Sequence, residues 1–354
     1  MTSKERVRKA ATHQFPDRIP VGFEAISTVK KRLVAHYGLK DEYDLYDYYN
    51  ADIVAVDAKY VGRPLKQYIN DKGEQIFENF WGHEDTLVVT ENDSYLSTVY
   101  YPLNEVTSIQ EIDDYHWPRT EDFDYSVITD LVNRFSDKAI VIGHEGPFQY
   151  ITYLVNMEEF FVLMIDEPEI AKHLLDRMVQ FEIEHYTKMF EAGQGKIDIL
   201  RVHDDYGTQL SLLFSVETWR EFFKENTKKL ADLAHSYGAL YQQHSCGAIE
   251  PLINDLIECG VDILEPLQKV NGLHPEELKE KYEGKITFYG GIDTQTIIPF
   301  GTPEDVKNEV KHYTKLLNNK NGGYILMASQ WFEVDAPIKN IEAIYDLSLR
   351  EISE

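Results

Sequence analysis

The sequence predicts an α/β protein of the (β/α)8 barrel type. Short, β-branched apolar runs alternate with longer amphipathic stretches, and there are eight such alternations. Several amphipathic stretches also close on glycine just before the next apolar run, as helices do at their C-caps. With 354 residues, 43% of them hydrophobic, the chain can bury one large core, so it reads as a single domain over 1–354.

The predicted strands are "RIPVGF" (18–23), "DIVAVDA" (52–58), "AIVIGH" (139–144) and "IDILRVH" (197–203). They continue as "ALYQQH" (239–244), "VDILEPL" (261–267), "ITFYGG" (286–291) and "GYILMAS" (323–329). Between them, "PEIAKHLLDRMVQFEIEHYTKMFEAG", "VETWREFFKENTKKLADLAHSYG" and "TPEDVKNEVKHYTKLLNN" carry apolar residues at helical spacing. Residues from about 62 to 120 break this rhythm. "NDKGEQIFENFWGHEDTLVVT" and "DSYLSTVYYPL" read as β-hairpins, an insertion between the second and third strands that covers part of the barrel mouth.

Charge narrows the function. The chain has 61 acidic against 35 basic residues, a net charge of −26, which repels phosphate backbones and anionic lipid. Nucleic-acid and membrane-surface roles are therefore not expected. The charged start "MTSKERVRKAATHQ" is no signal peptide, and no apolar run approaches the roughly 18 residues of a membrane span. Two cysteines make no disulfide framework, so the expected location is the reducing cytoplasm.

Barrel enzymes carry their chemistry at the C-terminal ends of the strands. Those ends give Phe23 and Glu24; Asp57; His144 and Glu145; His203, Asp204 and Asp205. The rest give His244 and Cys246; Glu265 and Gln268; Gly290, Gly291 and Asp293; Ser329 and Gln330. Asp204, Asp205 and Asp293 serve equally well as caps of the following helices. The two glycines of "GGID" need only a tight turn, and no phosphate site is read from them.

His244 and Cys246 sit two residues apart, so on a strand they point the same way and can share an ion. Imidazole with thiolate suits zinc. Cys259 cannot complete the site, because the helical stretch between puts it roughly 15 Å away. It reads as a small buried hydrophobe. Glu265, on the next strand, is the first choice of third ligand, and His203, on the preceding strand, is the second.

"HSCGAIEPLINDLIECGVDILEPLQ", "FYGGIDTQTIIPFGTPEDVKNEVKHY", "PDRIPVGF" and "GGYILMASQ" together resemble the uroporphyrinogen decarboxylase superfamily over nearly the whole chain. That resemblance implies one of two activities, decarboxylation of uroporphyrinogen III without a cofactor or methyl transfer with a corrinoid protein and often zinc. The decarboxylase branch carries an Arg-Gln-Ala-Gly-Arg-Tyr segment where this chain has "GFEAISTVKK". Eight substrate carboxylates need such arginines. The methyltransferase branch carries His-x-Cys at the fifth strand, as here. Its thiol-methylating members add a cysteine at the eighth strand, where this chain reads "MASQWF", and an acidic residue at the position of Glu265 approaches the zinc.

The resemblance therefore implies a methyltransferase that moves methyl from a small donor with an oxygen or nitrogen leaving group, such as an O-methylated aromatic, to the cobalamin of a separate corrinoid protein. No Asp-x-His-x-x-Gly cobalamin signature is present in the chain itself. Zinc on His244, Cys246 and Glu265 is expected, with His203, Glu145 and Asp205 as catalytic groups. Phe23, Asp57, His144, Tyr150, Gln330 and Trp331, with Phe332, would line the substrate site. Glu167, Glu182 and His203 match the spacing of a zinc motif proposed for ether-cleaving methyltransferases. A continuous helix over 168–193 would hold the two glutamates roughly 22 Å apart, so they read as solvated helix residues. The reading is compatible with a homodimer. Its alternatives are uroporphyrinogen III decarboxylase and a non-catalytic barrel that carries a tetrapyrrole or corrinoid.

Overall fold

The computed structural model describes residues 1–89, 94–317 and 321–349. Thirteen strands are named in chain order. The first two are β1 (Ile53–Ala55) and β2 (Lys59–Tyr60). Next come β3 (Gln67–Ile69), β4 (Gln75–Glu78), β5 (Glu84–Val89), β6 (Ser94–Tyr100) and β7 (Phe123–Asp124). They are followed by β8 (Ala139–Ile142), β9 (Ile199–His203), β10 (Leu240–His244), β11 (Ile263–Leu267), β12 (Thr287–Ile292) and β13 (Tyr324–Ala328).

Seven of these form one parallel sheet in the order β1-β8-β9-β10-β11-β12-β13. Each is buried on both faces apart from its ends, because helices pack outside and side chains fill the interior. The eighth predicted strand position, 18–23, is not a regular strand. It lies between β13 and β1, bridging Val21 to Leu326 and accepting the Asp52 amide on the Val21 carbonyl (2.7 Å). Two features of the sequence deny it a ladder. Pro20 has no N–H to give, and the Val21 N–H is taken by the Asp52 carboxylate (2.9 Å), itself held by Arg6 and Arg18.

The longest amphipathic stretch is a continuous helix, Pro168–Gly193. The stretch 216–238 instead splits into Val216–Phe222 and Lys224–Ser236, with Phe223 buried at the break. The third stretch is helical over Pro303–Leu317, and its expected continuation through 318 and 319 lies outside the described residues.

Strands β3 to β6 form a four-stranded antiparallel sheet between the second and third barrel positions, 67–100 in sequence. The expected turn joining β5 to β6, residues 90–93, lies outside the described residues. Trp81 and His83, in the connection from β4 to β5, and Asp85 of β5 line a cavity together with Asp57, Gly143 and His144. No helix among the described residues is long and apolar enough to cross a membrane.

Candidate functional site

Register brings the chemistry together. His203 and His244 are direct partners across β9 and β10, and His244 and Glu265 are partners across β10 and β11. Side chains at matched positions of parallel neighbours project side by side, so one imidazole is flanked from both sides. His144 arrives from the end of β8. Gly143 before it has φ +98, and a Cβ there would lie 2.1 Å from the Arg201 carbonyl oxygen. Only glycine lets the chain pass that close and turn His144 toward His203, ring to ring at 5.8 Å.

His244 has two differently furnished sides. Its Nε2 lies 3.5 Å from the Cys246 sulfur and 3.6 Å from Asp205 Oδ1, while its Nδ1 lies 3.6 Å from Glu265 Oε1. Two candidate metal-holding groups follow: Asp205, His244 and Cys246 at the mouth, and His203, His244 and Glu265 beneath. An imidazole binds a metal through one nitrogen, and its two nitrogens point away from each other. The expected trio of His244, Cys246 and Glu265 is therefore not assembled around one point. Asp205, expected as a catalytic group, stands where the third ligand belongs.

The outer group fits zinc on its distances and donors. Zinc bonds of about 2.0–2.3 Å in a tetrahedron set ligand atoms roughly 3.5 Å apart. The observed Nε2–Sγ and Nε2–Oδ1 separations match, and the donors are one nitrogen, one sulfur and one oxygen. Asp205 is tied to this place by accepting the Cys246 amide (2.7 Å). Glu265, buried, lies 3.6 Å from the far nitrogen, which has no hydrogen-bond partner among the described residues, so it faces His244 as a charge on the side away from the outer group.

Electrostatics agree with that division. Burial alone would lower the His244 imidazole, but Cys246 and Glu265 on its two sides raise it to about 10. Burial would raise the Glu265 carboxyl, yet His244 and Arg201 hold it below the ordinary range. Burial pushes His203 well down, helped by the positive charge of His244, Arg201 and His144. The neutral imidazole of His203 is thereby favoured. Its Nε2 has no partner among the described residues. Burial and then Arg201 lower His144 to about 4, while Glu145 touches its ring.

Several other expectations change. Gln330 gives its amide N–H to the Cys246 sulfur (3.2 Å), and Gln268 does the same (3.4 Å). Sequence reasoning placed Gln330 against substrate and gave Gln268 no role. Phe23 is 1% exposed and packs on Tyr46, Tyr49 and Phe332, so it and Phe332 are core rather than walls. Trp331 is half-buried and lies 6.3 Å from His203, ring to ring. Asp204 is buried and accepts the Gln149 amide at the start of helix Pro147–Leu154, and Asp293 accepts those of Gln295 and Thr296. Both are caps. Cys259 is buried and free, as expected.

The largest correction concerns Glu182. Glu167 is exposed at the start of its helix, but Glu182 is 1% exposed. Neither of its carboxyl oxygens has a hydrogen-bond partner among the described residues. It lines a cavity of about 410 Å³ that also reaches Asp57, His144, Glu145 and Tyr150. Four residues expected at the site thus meet there, beside a glutamate set aside as solvated. Its position within a helix of mixed polarity gave no sign that this turn faces the barrel end.

The profile of the uroporphyrinogen decarboxylase (URO-D) family matches residues 91–349. A methylcobamide:CoM methyltransferase MtaA of Methanosarcina barkeri is 24% identical over 209 residues, which is 59% of this chain and 57% of that protein. The MtaA of Methanosarcina barkeri strain Fusaro / DSM 804 is 25% identical over 176 residues, 49% of each chain. The chain spans about half the length of the curated relatives it matches. A solved methyltransferase from Methanosarcina mazei aligns over 97% of both chains, with a TM-score of 0.71 and 20% identity, and so shares the fold.

Proposed function

The chain belongs to the uroporphyrinogen decarboxylase (URO-D) family, and from that premise we propose that it is a methyltransferase moving a methyl group from a small methylated donor to the cobalamin of a separate corrinoid protein. The observation that carries this reading is the outer face of His244, where nitrogen, sulfur and carboxylate oxygen lie at zinc-ligand spacing, with Cys246 lining a cavity of about 440 Å³. Likeness to proteins named as methylcobamide:CoM methyltransferases supports it. Zinc on Asp205, His244 and Cys246 would act as a Lewis acid on the donor's leaving atom.

The chain's own residues do the rest. Glu265 orients the His244 ring from its buried nitrogen. Gln268 and Gln330 hold the Cys246 sulfur, and Gln330 lies in the "MASQWF" stretch where thiol-methylating members of the family carry another cysteine. His203, neutral and unpartnered on Nε2, is poised to accept a proton or hydrogen bond from a bound donor. The donor loses methyl from oxygen, as an aryl methyl ether would, or from nitrogen. The setting is the cytoplasm, and a homodimer is compatible with this reading.

The test supplies a reduced corrinoid protein with O- and N-methylated donors and follows loss of cob(I)alamin absorbance. Methyl-donor-dependent loss that disappears in Cys246→Ala is expected. Steady formation of coproporphyrinogen from uroporphyrinogen, with no methyl transfer from any donor, would contradict the proposal.

A further inference from the structure

The cavity beneath the antiparallel sheet has walls that suit one kind of ligand. Trp81 sits at its inner end, its ring 4.7 Å from that of Tyr150 and 5.0 Å from that of Phe181, centre to centre. Four carboxyl groups also line it: Asp57, Asp85, Glu145 and Glu182. Asp85 is answered by His83 (3.3 Å) and Thr98, and Glu145 touches His144. Asp57 accepts only the neighbouring Ala58 amide, and Glu182 has no partner at all among the described residues. No lysine or arginine is among the lining residues.

We propose that this cavity is a binding site for a quaternary ammonium group, held against the ring of Tyr150, which Trp81 backs, and neutralised by Glu182 and Asp57. The physical case is one of elimination. A buried carboxyl without a partner costs free energy that a ligand can relieve. An anionic ligand meets four acids and no fixed cation. A neutral ligand leaves the negative lining uncompensated. A cation is drawn to Glu182 and Asp57 together by charge, and aromatic rings attract it through their negative faces. Burial already pushes both carboxyls up, Asp57 to about 6, so they are primed to ionise when a positive group arrives. The volume of about 410 Å³ admits a small organic ion.

The inference rests on the methyl-transfer reading only for what happens next. His144 and Glu145 join the cavity to His203 and His244, so a bound ammonium group lies near that centre. On transfer the C–N bond breaks, its electron pair stays on nitrogen, and a neutral tertiary amine leaves. The methyl carbon bonds to the nucleophilic cobalt of cob(I)alamin, the two electrons of the new bond coming from that metal. No proton is needed.

Binding is measured on the full chain, without a corrinoid protein, by calorimetric titration with choline and with its uncharged carbon isostere, 3,3-dimethylbutan-1-ol. We expect choline to bind at least about tenfold more tightly than the isostere. Glu182→Gln and Asp57→Asn, checked for native circular dichroism, should each erase most of that difference while leaving isostere binding unchanged. Equal binding of the two compounds, or a choline affinity untouched in both variants, overturns the proposal. Because no methyl transfer is measured, either result leaves the corrinoid reading to its own assay, in which an uncharged aryl methyl ether can still serve as donor.

Discussion

The surroundings of His244 and the cavity beneath the antiparallel sheet lie side by side, yet they are finished to different degrees. On the outer face of His244 the groups hold one another: Asp205 takes the Cys246 amide and two glutamines cap the sulfur, while the inner nitrogen faces Glu265 at 3.6 Å without a hydrogen bond. In the cavity the walls are packed aromatics, but Glu182 is left with both oxygens unanswered. A site built for a small ion needs preset geometry at tenths of an ångström. A site for an organic group needs shape, and can leave to the ligand the task of satisfying a buried charge. On the proposed reading, the difference separates the part that would set chemistry from the part that would select what undergoes it.

The largest effect should come from the metal face. Cys246→Ala should weaken zinc binding by more than the roughly 10–100-fold that losing a partner of a ligand costs. Competitive chelator titration of purified protein measures it, and an unchanged affinity would break the contrast at its stronger side. Glu265→Gln should fall within that roughly 10–100-fold range, because it acts on His244 from the buried nitrogen. A loss as large as that of Cys246→Ala would return Glu265 to the ligand set.

A smaller effect belongs to the cavity. Glu182 has its folded pKa raised by burial, and then by the charge of Asp204. The folded state therefore holds the proton where the unfolded chain has released it. Stability from this group is fully present below the unfolded pKa, near 4.5, and is lost as pH rises toward the raised folded value. Glu182→Gln keeps the neutral form at every pH. Its melting temperature should exceed that of the parent at pH 8 by about 2 °C or more and match it near pH 4.5. A constant difference across that range would mean that Glu182 is ionised in the fold.

Most of the barrel was legible in the sequence because alternation and glycine stops are local signals. Seven strands and the helix Pro168–Gly193 lie where the pattern put them. The run 18–23 was over-read, since hydropathy does not show that Asp52 takes the Val21 amide. The site was legible as a set of strand ends and less so as a geometry. His244 and Cys246 follow from period-two spacing, but which imidazole nitrogen faces which carboxylate depends on ring orientation. Strand adjacency favoured Glu265, and nothing in the sequence shows that Asp205 accepts the Cys246 amide and so stands on the same side of the ring as the sulfur. Glu182 was illegible because only tertiary packing decides which turn of a long helix the antiparallel sheet covers.

The most direct test of the account is the zinc content of Asp205→Asn beside that of His244→Ala, measured by mass spectrometry after purification and brief exposure to a chelator. The account predicts zinc in the parent protein, none in His244→Ala and a strong loss in Asp205→Asn. Full zinc in either variant would contradict a metal centre on the outer face of His244.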